Sequence, residues 1–524
     1  MKSAGLLPGR ERLTALLVFV LLTVCYGYVF PRWADPNQNS RLDMVVAVVD
    51  RGTFQIDQYV HNTVDYAKVG DHFYSDKAPG TAFLGIPLYA GLKLILDQPI
   101  MNRLTDKLAN SAAFQSTLRS DGSGVLADKV RFALAQVALT FVIVTLPSAA
   151  LGALLYRLLA RFTRSQWQRL GVVLGYALLT PVFAYAGAFY GHQLAAVTLF
   201  AAFYLLFMSG PDLSTAALLA VGLLLGASVI IEYPAALIVA ILCVYAFYQL
   251  RRAGHWRRIG WVLLAGGIMA LGLMAYNTKV FGGPFSLGYS NSELWLPEHD
   301  TGFMSLTYPH WAAIWGMTFG IFRGLFVLSP WLLLAAPGFV LWWRSREHQA
   351  EFWVAAASVL AFFWFNASSV MWWGGFSIGP RYLLPMLPFL ALPIVFVLRQ
   401  WGRQVWLAAL FAALAAWSLV ATWGLTLSDQ AFPPDTIPNP FLNYAWPSWL
   451  AGNLARNVGT LLGLRGAAGL APLALVVLLL AAAWWQAGRQ TTPPDALAAA
   501  AATAASAPGL SEPVPDGYAR TAAN

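Results

Sequence analysis

The sequence predicts an all-α polytopic membrane protein of about twelve transmembrane helices, with interfacial helices in a long first extracytoplasmic loop. Three observations lead there. Of 524 residues, 58% are hydrophobic and only 11% are charged, whereas soluble domains run near half apolar and about a quarter charged. Apolar runs long enough to cross a bilayer recur along the chain. Every second connection between them is rich in arginine, the mark of a cytoplasmic loop. A soluble globular domain and a disordered chain are excluded. The formal charge of +9 resides largely in those loops, so it speaks of sidedness and not of nucleic acid.

The first helix is expected over Leu13–Phe30, behind the basic residues Lys2, Arg10 and Arg12. No small-residue cleavage site follows it, so it reads as an uncleaved span and not a signal peptide. Cys25 and Cys243 lie inside apolar runs and read as small buried hydrophobes, with no disulfide or metal framework.

The segment from Pro31 to Val130 is read as one outer loop holding 11 of the 24 acidic residues. Within it, Asn39-Ser40 followed by Leu42, Val45, Val46 and Val49 gives a cap and an apolar stripe ended by Gly52. A short amphipathic surface helix follows from that pattern, with Asp43 and Asp50 on its polar face; Asp43 can point into a cavity above the bilayer, the bland alternative being a solvated face. Gly52 to Asp57, Asn62 to Asp65 and Asp71 to Gly80 alternate apolar and polar residues between glycines and read as strands or turns. Lys77, next to Asp76 and just before Pro79, is placed to meet a lipid phosphate as a point charge; the bland alternative is a snorkelling lysine. Pro79–Leu96 is apolar, but Gly80, Gly85, Pro87, Gly91 and Lys93 interrupt it, and counting it as a crossing inverts every later basic loop. It is therefore expected as an interfacial or re-entrant helix.

Further spans are expected at 131–156, 170–189, 193–209, 215–231, 234–250, 259–277, 325–343, 352–371, 383–398, 405–425 and 467–487. The basic connections at 157–169, 251–258, 344–346, 399–403 and Arg489 then share one side with the N-terminus. Both termini are expected in the cytoplasm, in a cytoplasmic (inner) membrane, with the active site facing outward. Residues 1–490 form one transmembrane body on this reading, and the Ala-, Pro-, Thr- and Ser-rich stretch 491–524 a disordered cytoplasmic tail.

Three outer helix ends carry further candidates. His192 closes the Tyr185–Gln193 turn, and Glu232 sits in a tight turn before Pro234, where a carboxylate needs a partner or a task. The loop from Trp372 to Tyr382 combines glycines that admit a ligand to the backbone, flat tryptophan faces including Trp373, and Arg381, whose fork fits phosphate or carboxylate.

The acidic first outer loop on such a body resembles the GT-C superfamily of membrane glycosyltransferases, in particular the branch of the protein O-mannosyltransferases and the aminoarabinose transferase of lipid A. The matching stretches are Gln38-Asn39-Ser40-Arg41-Leu42, Gly52 to Asp57, and Asp76-Lys77-Ala78-Pro79. Asn277, Phe281–Phe285, Arg323–Phe326 and Gly379–Leu383 are also similar to bacterial members of that superfamily. The resemblance implies transfer of a sugar from a polyprenyl-phosphate carrier to an acceptor hydroxyl on a lipid, glycan or protein at the outer face. It places Lys77 on the donor phosphate; from the chemistry of the outer loops Arg381 is expected there too, with Arg41 in support, and His192, Glu232, Tyr74, Trp373 and Tyr382 along the substrates. The family's acidic position is Gln38 or Asn39 here, so either another carboxylate serves as base or catalysis is lost. Asp43 is the first candidate, followed by Asp35, Asp57, Asp65 and Asp76. No Asp-x-Asp pair or His/Cys cluster implies a metal or other cofactor. The competing readings are a transporter or flippase of lipid-linked saccharides, and a catalytically silent envelope scaffold.

Overall fold

The computed structural model describes residues 9–33, 35–111, 129–303 and 305–490. The expected tail 491–524 lies outside them. Among the described residues, eight helices are long and apolar enough to cross a membrane: Val130–Leu159, Gly191–Ser209, Tyr233–Arg252, Trp256–Phe281, Gln349–Ala367, Arg381–Trp401, Val405–Leu427 and Gly466–Gln486. The chain is thus an all-α integral membrane protein. The other expected spans are helical too, but two are broken. Helix Gln166–Leu178 stops before Pro181 and resumes as the single turn Val182–Tyr185. Likewise Pro330 separates the turn Leu325–Leu328 from helix Ala335–Ser345. A proline interior to a helix removes an amide donor and crowds the preceding turn, which an apolar count does not register. Inside the apolar body the freed carbonyls need donors, and tryptophan supplies them. Trp331 Nε1 donates to Leu179 O at 3.2 Å, and Trp423 Nε1 donates to Leu178 O at 2.9 Å.

The Pro79–Leu96 stretch forms helix Gly80–Leu96, which turns by 91° into helix Pro99–Ala109. The pair is a bent excursion and not a straight crossing, in keeping with the interrupted sequence. Among the described residues the sole sheet is a hairpin, Ala67–Val69 against His72–Tyr74, in the register Ala67↔Tyr74, Lys68↔Phe73 and Val69↔His72.

The expected surface helix is longer and deeper than its apolar stripe suggested. It spans Pro36–Arg51, begins with Asp35 accepting from the Asn37 amide, and ends at Gly52 with φ +68°. The cap is Asp35, not Asn39-Ser40, because Pro36 fits the first helical position, where no amide bond is lost. Every residue from Asn37 to Ala47 is buried. Its polar side therefore meets protein: Gln38 Oε1 accepts from the Phe189 amide at 2.7 Å, Asn39 Nδ2 donates to the carbonyls of Trp33 and Asn62, and Ser40 bonds Ser75 at 2.8 Å. The helix is an internal strut, and that sets which way Arg41 and Asp43 point.

Candidate functional site

A cavity of about 360 Å³ opens where several apolar helices begin or end on one side of the body. His192 lies at the start of Gly191–Ser209, Glu232 just past Thr215–Ile231, Asn366 at the end of Gln349–Ala367, and Arg381 at the start of Arg381–Trp401. The arginines of 251–258, 344–346 and 399–403 lie at the opposite helix ends. The cavity wall is mixed. Leu237, Phe362, Phe365 and Pro385 line it together with three groups of ionisable side chains.

The first group centres on Lys77, which follows the hairpin. Its ammonium lies 3.1 Å from Asp65 Oδ2 and 3.1 Å from Asp76 Oδ2. Ser292 Oγ donates to Asp76 at 3.1 Å, and Trp295 Nε1 donates to Asp65 at 3.4 Å. Burial alone acts to raise the Asp65 carboxyl, but the Lys77 charge beside it prevails and holds it below its ordinary value. Asp76 is raised by burial, with the Asp65 charge adding to the effect. Asp65 is thus the ionised partner of Lys77, and Asp76 the carboxyl that more readily keeps its proton. Burial opposes the Lys77 charge, yet the two carboxylates raise its pKa.

The second group is Arg41, Glu232 and His192. Arg41 Nη2 lies 3.3 Å from Glu232 Oε1, and His192 Nδ1 lies 3.2 Å from the same oxygen. The backbone packs tightly here: a Cβ on Gly191 would collide with Glu232 Oε1 and the Ile231 carbonyl.

In the third group Tyr190 links Asp35 and Arg381. The Tyr190 hydroxyl donates to Asp35 and accepts from Arg381 Nη1 at 3.2 Å. The guanidinium lies 5.2 Å from the ring centroids of both Tyr190 and Tyr382. Burial raises the Asp35 carboxyl above its ordinary value, and the Tyr190 hydroxyl and Arg381 charge offset part of that. Gly374, at φ +72°, lets the preceding loop fold against Arg381; a Cβ there would sit 3.1 Å from its Nε. Arg323, fully buried, ties that loop down by donating to the carbonyls of Gly375 and Pro433 at 2.9 and 3.2 Å.

Several donors and acceptors in this shell lack a hydrogen-bond partner among the described residues: Arg41 Nε, Arg381 Nε, His192 Nε2 and Asp76 Oδ1. Among those residues, Arg381 also has no carboxylate within ion-pair distance, whereas Lys77 and Arg41 do. No group of three or more His, Cys, Asp or Glu side chains among them is arranged to hold a metal ion. The arrangement suits an amphiphilic anion: cationic donors for its head and an apolar wall for its tail.

Of the residues singled out from sequence, Asp35, Arg41, Asp65, Lys77, His192, Glu232, Arg381 and Tyr382 line the cavity together, with Asp76 beneath Lys77. Asp43 does not point there. It is fully buried, accepts from Asn62 Nδ2 at 2.9 Å, and burial raises its carboxyl well above the ordinary value. The reason is the buried setting of its helix, which turns Arg41 toward the cavity and Asp43 toward Asn62. Asp57 is also elsewhere, accepting from His72 and the Phe73 amide at the hairpin. Tyr74 packs on Phe281, and Trp373 packs on Trp372; neither lines the cavity.

Tyr190, Tyr289, Trp295 and His299 line the cavity as well. His299 stacks on Tyr289 at 5.0 Å, and burial lowers its pKa to about 4. The loop that carries Tyr289, Trp295 and His299 arrives through the hairpin, since Ala67 bridges Ser292 and the Glu293 amide donates to the Tyr66 carbonyl. Such pairing across more than 220 positions leaves no trace in a local pattern. The one available signal was the density of aromatic and histidine residues in 289–299.

No protein-family description matches the chain, and no curated protein does. Among solved structures it is similar to ArnT from Cupriavidus metallidurans in the apo state, at 16% identity over 90% of this chain and 72% of that chain, with a TM-score of 0.43. It is also similar to the ArnT structure bound to undecaprenyl phosphate, at 16% identity over 90% and 71% of the two chains, with a TM-score of 0.41.

Proposed function

We propose that the protein transfers a sugar from a polyprenyl-phosphate carrier to the hydroxyl of a lipid, glycan or protein acceptor. The observation that carries this reading is Arg381: a buried guanidinium, unpaired with any carboxylate among the described residues, in one cavity with Lys77, Arg41 and the apolar side chains Leu237, Phe362 and Phe365. A lipid phosphate supplies the missing anion and fills the apolar side at once. Arg381 takes the phosphate by its fork, while Lys77 and Arg41, pinned by their carboxylates, add positive potential where charge grows as the phosphate leaves. The resemblance of Asp76-Lys77-Ala78-Pro79 to the motif of carrier-dependent transferases points the same way.

On this reading the basic helix ends face the cytoplasm, so the cavity faces outward from an inner membrane and both termini lie inside. One transmembrane body of residues 1–490 carries the whole site. A transporter or flippase would be expected to place its charges near the middle of the bilayer on broken helices. Here they collect at helix ends, which favours an enzyme.

The test is sugar release from radiolabelled polyprenyl-phosphate hexose and pentose donors by the purified protein in lipid. Release by the wild type, lost in Arg381→Ala and weakened in Lys77→Ala, is the expected result. Donor binding without release from any of them would favour the transporter or the silent scaffold.

A further inference from the structure

We propose that Glu232 and His192 form the general base that removes the proton of the acceptor hydroxyl; this rests on the transferase reading above. The carboxylates that line the cavity, Asp35, Asp65 and Glu232, are already engaged, and Asp76, whose Oδ1 also lacks a partner among the described residues, does not line it. Asp35 receives Tyr190 and the Asn37 amide, Asp65 and Asp76 hold Lys77, and Glu232 holds Arg41 and His192. His192 differs from all of them. Its Nδ1 faces Glu232, while Nε2, in a side chain 8% exposed that lines the cavity, has no partner among the described residues.

A proton on Nδ1, donated to the carboxylate, leaves the lone pair on Nε2. A buried acceptor without a donor is costly, and phosphate or ether oxygens, which carry no proton, do not satisfy it. A hydroxyl does. Tyr382 brings this acceptor close to the phosphate ligand, because its ring lies 5.3 Å from that of His192 and 5.2 Å from the Arg381 guanidinium. The charged and titratable groups facing His192 are Glu232, Arg41, Arg381, Tyr190 and Tyr382.

In the transfer step Nε2 takes the hydroxyl proton as the acceptor oxygen bonds to the anomeric carbon. The bond from that carbon to the phosphate oxygen breaks, and its electron pair leaves with the polyprenyl phosphate. The resulting imidazolium faces Glu232, and the new phosphate charge faces Arg381 and Arg41.

The experiment measures sugar release from the same radiolabelled donors against pH, with undecaprenyl phosphate binding and melting temperature measured on each variant. His192→Gln should reduce release by about 100-fold or more, retain lipid binding and fold, and lose the acidic limb of the wild-type profile. Glu232→Gln should keep that limb but move it to lower pH, since the carboxylate favours the imidazolium. Imidazole added to His192→Ala should restore part of the release, which a merely structural histidine would not permit. Release by His192→Gln close to wild type, with an unchanged acidic limb, overturns the dyad and leaves the transferase standing. Wild-type protein that neither binds undecaprenyl phosphate nor releases sugar overturns the transferase, and the dyad with it.

Discussion

The Tyr190 hydroxyl reaches both carboxylate oxygens of Asp35, at 2.9 and 2.8 Å. A phenol fixed in that direction turns its lone pair toward Arg381, so a carboxylate that never touches the arginine orients it. Tyr190→Phe keeps the ring beside the guanidinium and removes only the relay. Undecaprenyl phosphate should then bind about tenfold more weakly, the size of one hydrogen bond to a charged group. Unchanged affinity in a binding titration would show that the two aromatic rings suffice to hold Arg381.

The same carboxylate predicts a pH-dependent stability. Burial raises the Asp35 pKa, so the folded chain holds that proton more tightly than the unfolded chain does. Its effect on stability is therefore most favourable at low pH and is lost as pH rises through the folded value. Asp35→Asn removes the titration. Its melting temperature should match wild type in acid and exceed it near neutrality, and a variant less stable at neutral pH would refute this.

Asp65 and Asp76 should respond unequally to amidation. Asp65 is the ionised partner of Lys77, and removing one member of a buried pair costs about 3 kcal/mol. Asp76→Asn should cost less. The Asp65 pKa is lowered, so its contribution is full above the ordinary value of 3.8 and disappears as pH falls through the folded value. Chemical denaturation of the two variants across acid pH reads both effects: Asp65→Asn should start less stable and lose less on acidification.

Asp43→Asn should leave sugar release near wild type and should not destabilise the fold, because the amide replaces a buried carboxyl whose ionisation is disfavoured. A loss comparable to that of Arg381→Ala would restore Asp43 as a catalytic candidate.

Gly191→Ala tests the packing beneath Glu232. The added methyl displaces the carboxylate from His192, and displacements of this order cost about 100-fold in rate when they misplace reacting groups. Release should fall further than lipid binding, because the Lys77–Asp65 pair is untouched and only Arg41, which shares the Glu232 oxygen, is disturbed on the phosphate side. Equal loss of binding and release would point to wider disorder.

How much of this was legible from residues depended on the range of the interaction. The apolar segments, the basic loops, the bent Gly80–Leu96 excursion and the prominence of Lys77 and Arg381 came from composition and nearest neighbours. Asp43 misled for a physical reason: its helix has an amphipathic stripe, and the stripe does not say that protein also covers the polar side. The meeting of Arg41 with Glu232, 191 positions later, and of Tyr190 with Asp35 and Arg381, is long-range geometry that no periodicity encodes. Trp295 came to the cavity by a backbone pairing equally invisible in sequence.

The indoles of Trp331 and Trp423 tie off the carbonyls exposed where helix Gln166–Leu178 breaks. Phenylalanine at either position fills similar space but strands an acceptor in a medium that offers no substitute donor. The burden falls on membrane insertion and assembly, before any sugar is bound. Such variants should therefore differ from wild type in the amount of correctly integrated protein recovered, while each recovered molecule works at the normal rate. That outcome would assign biogenesis and chemistry to separate sets of aromatic residues in this chain.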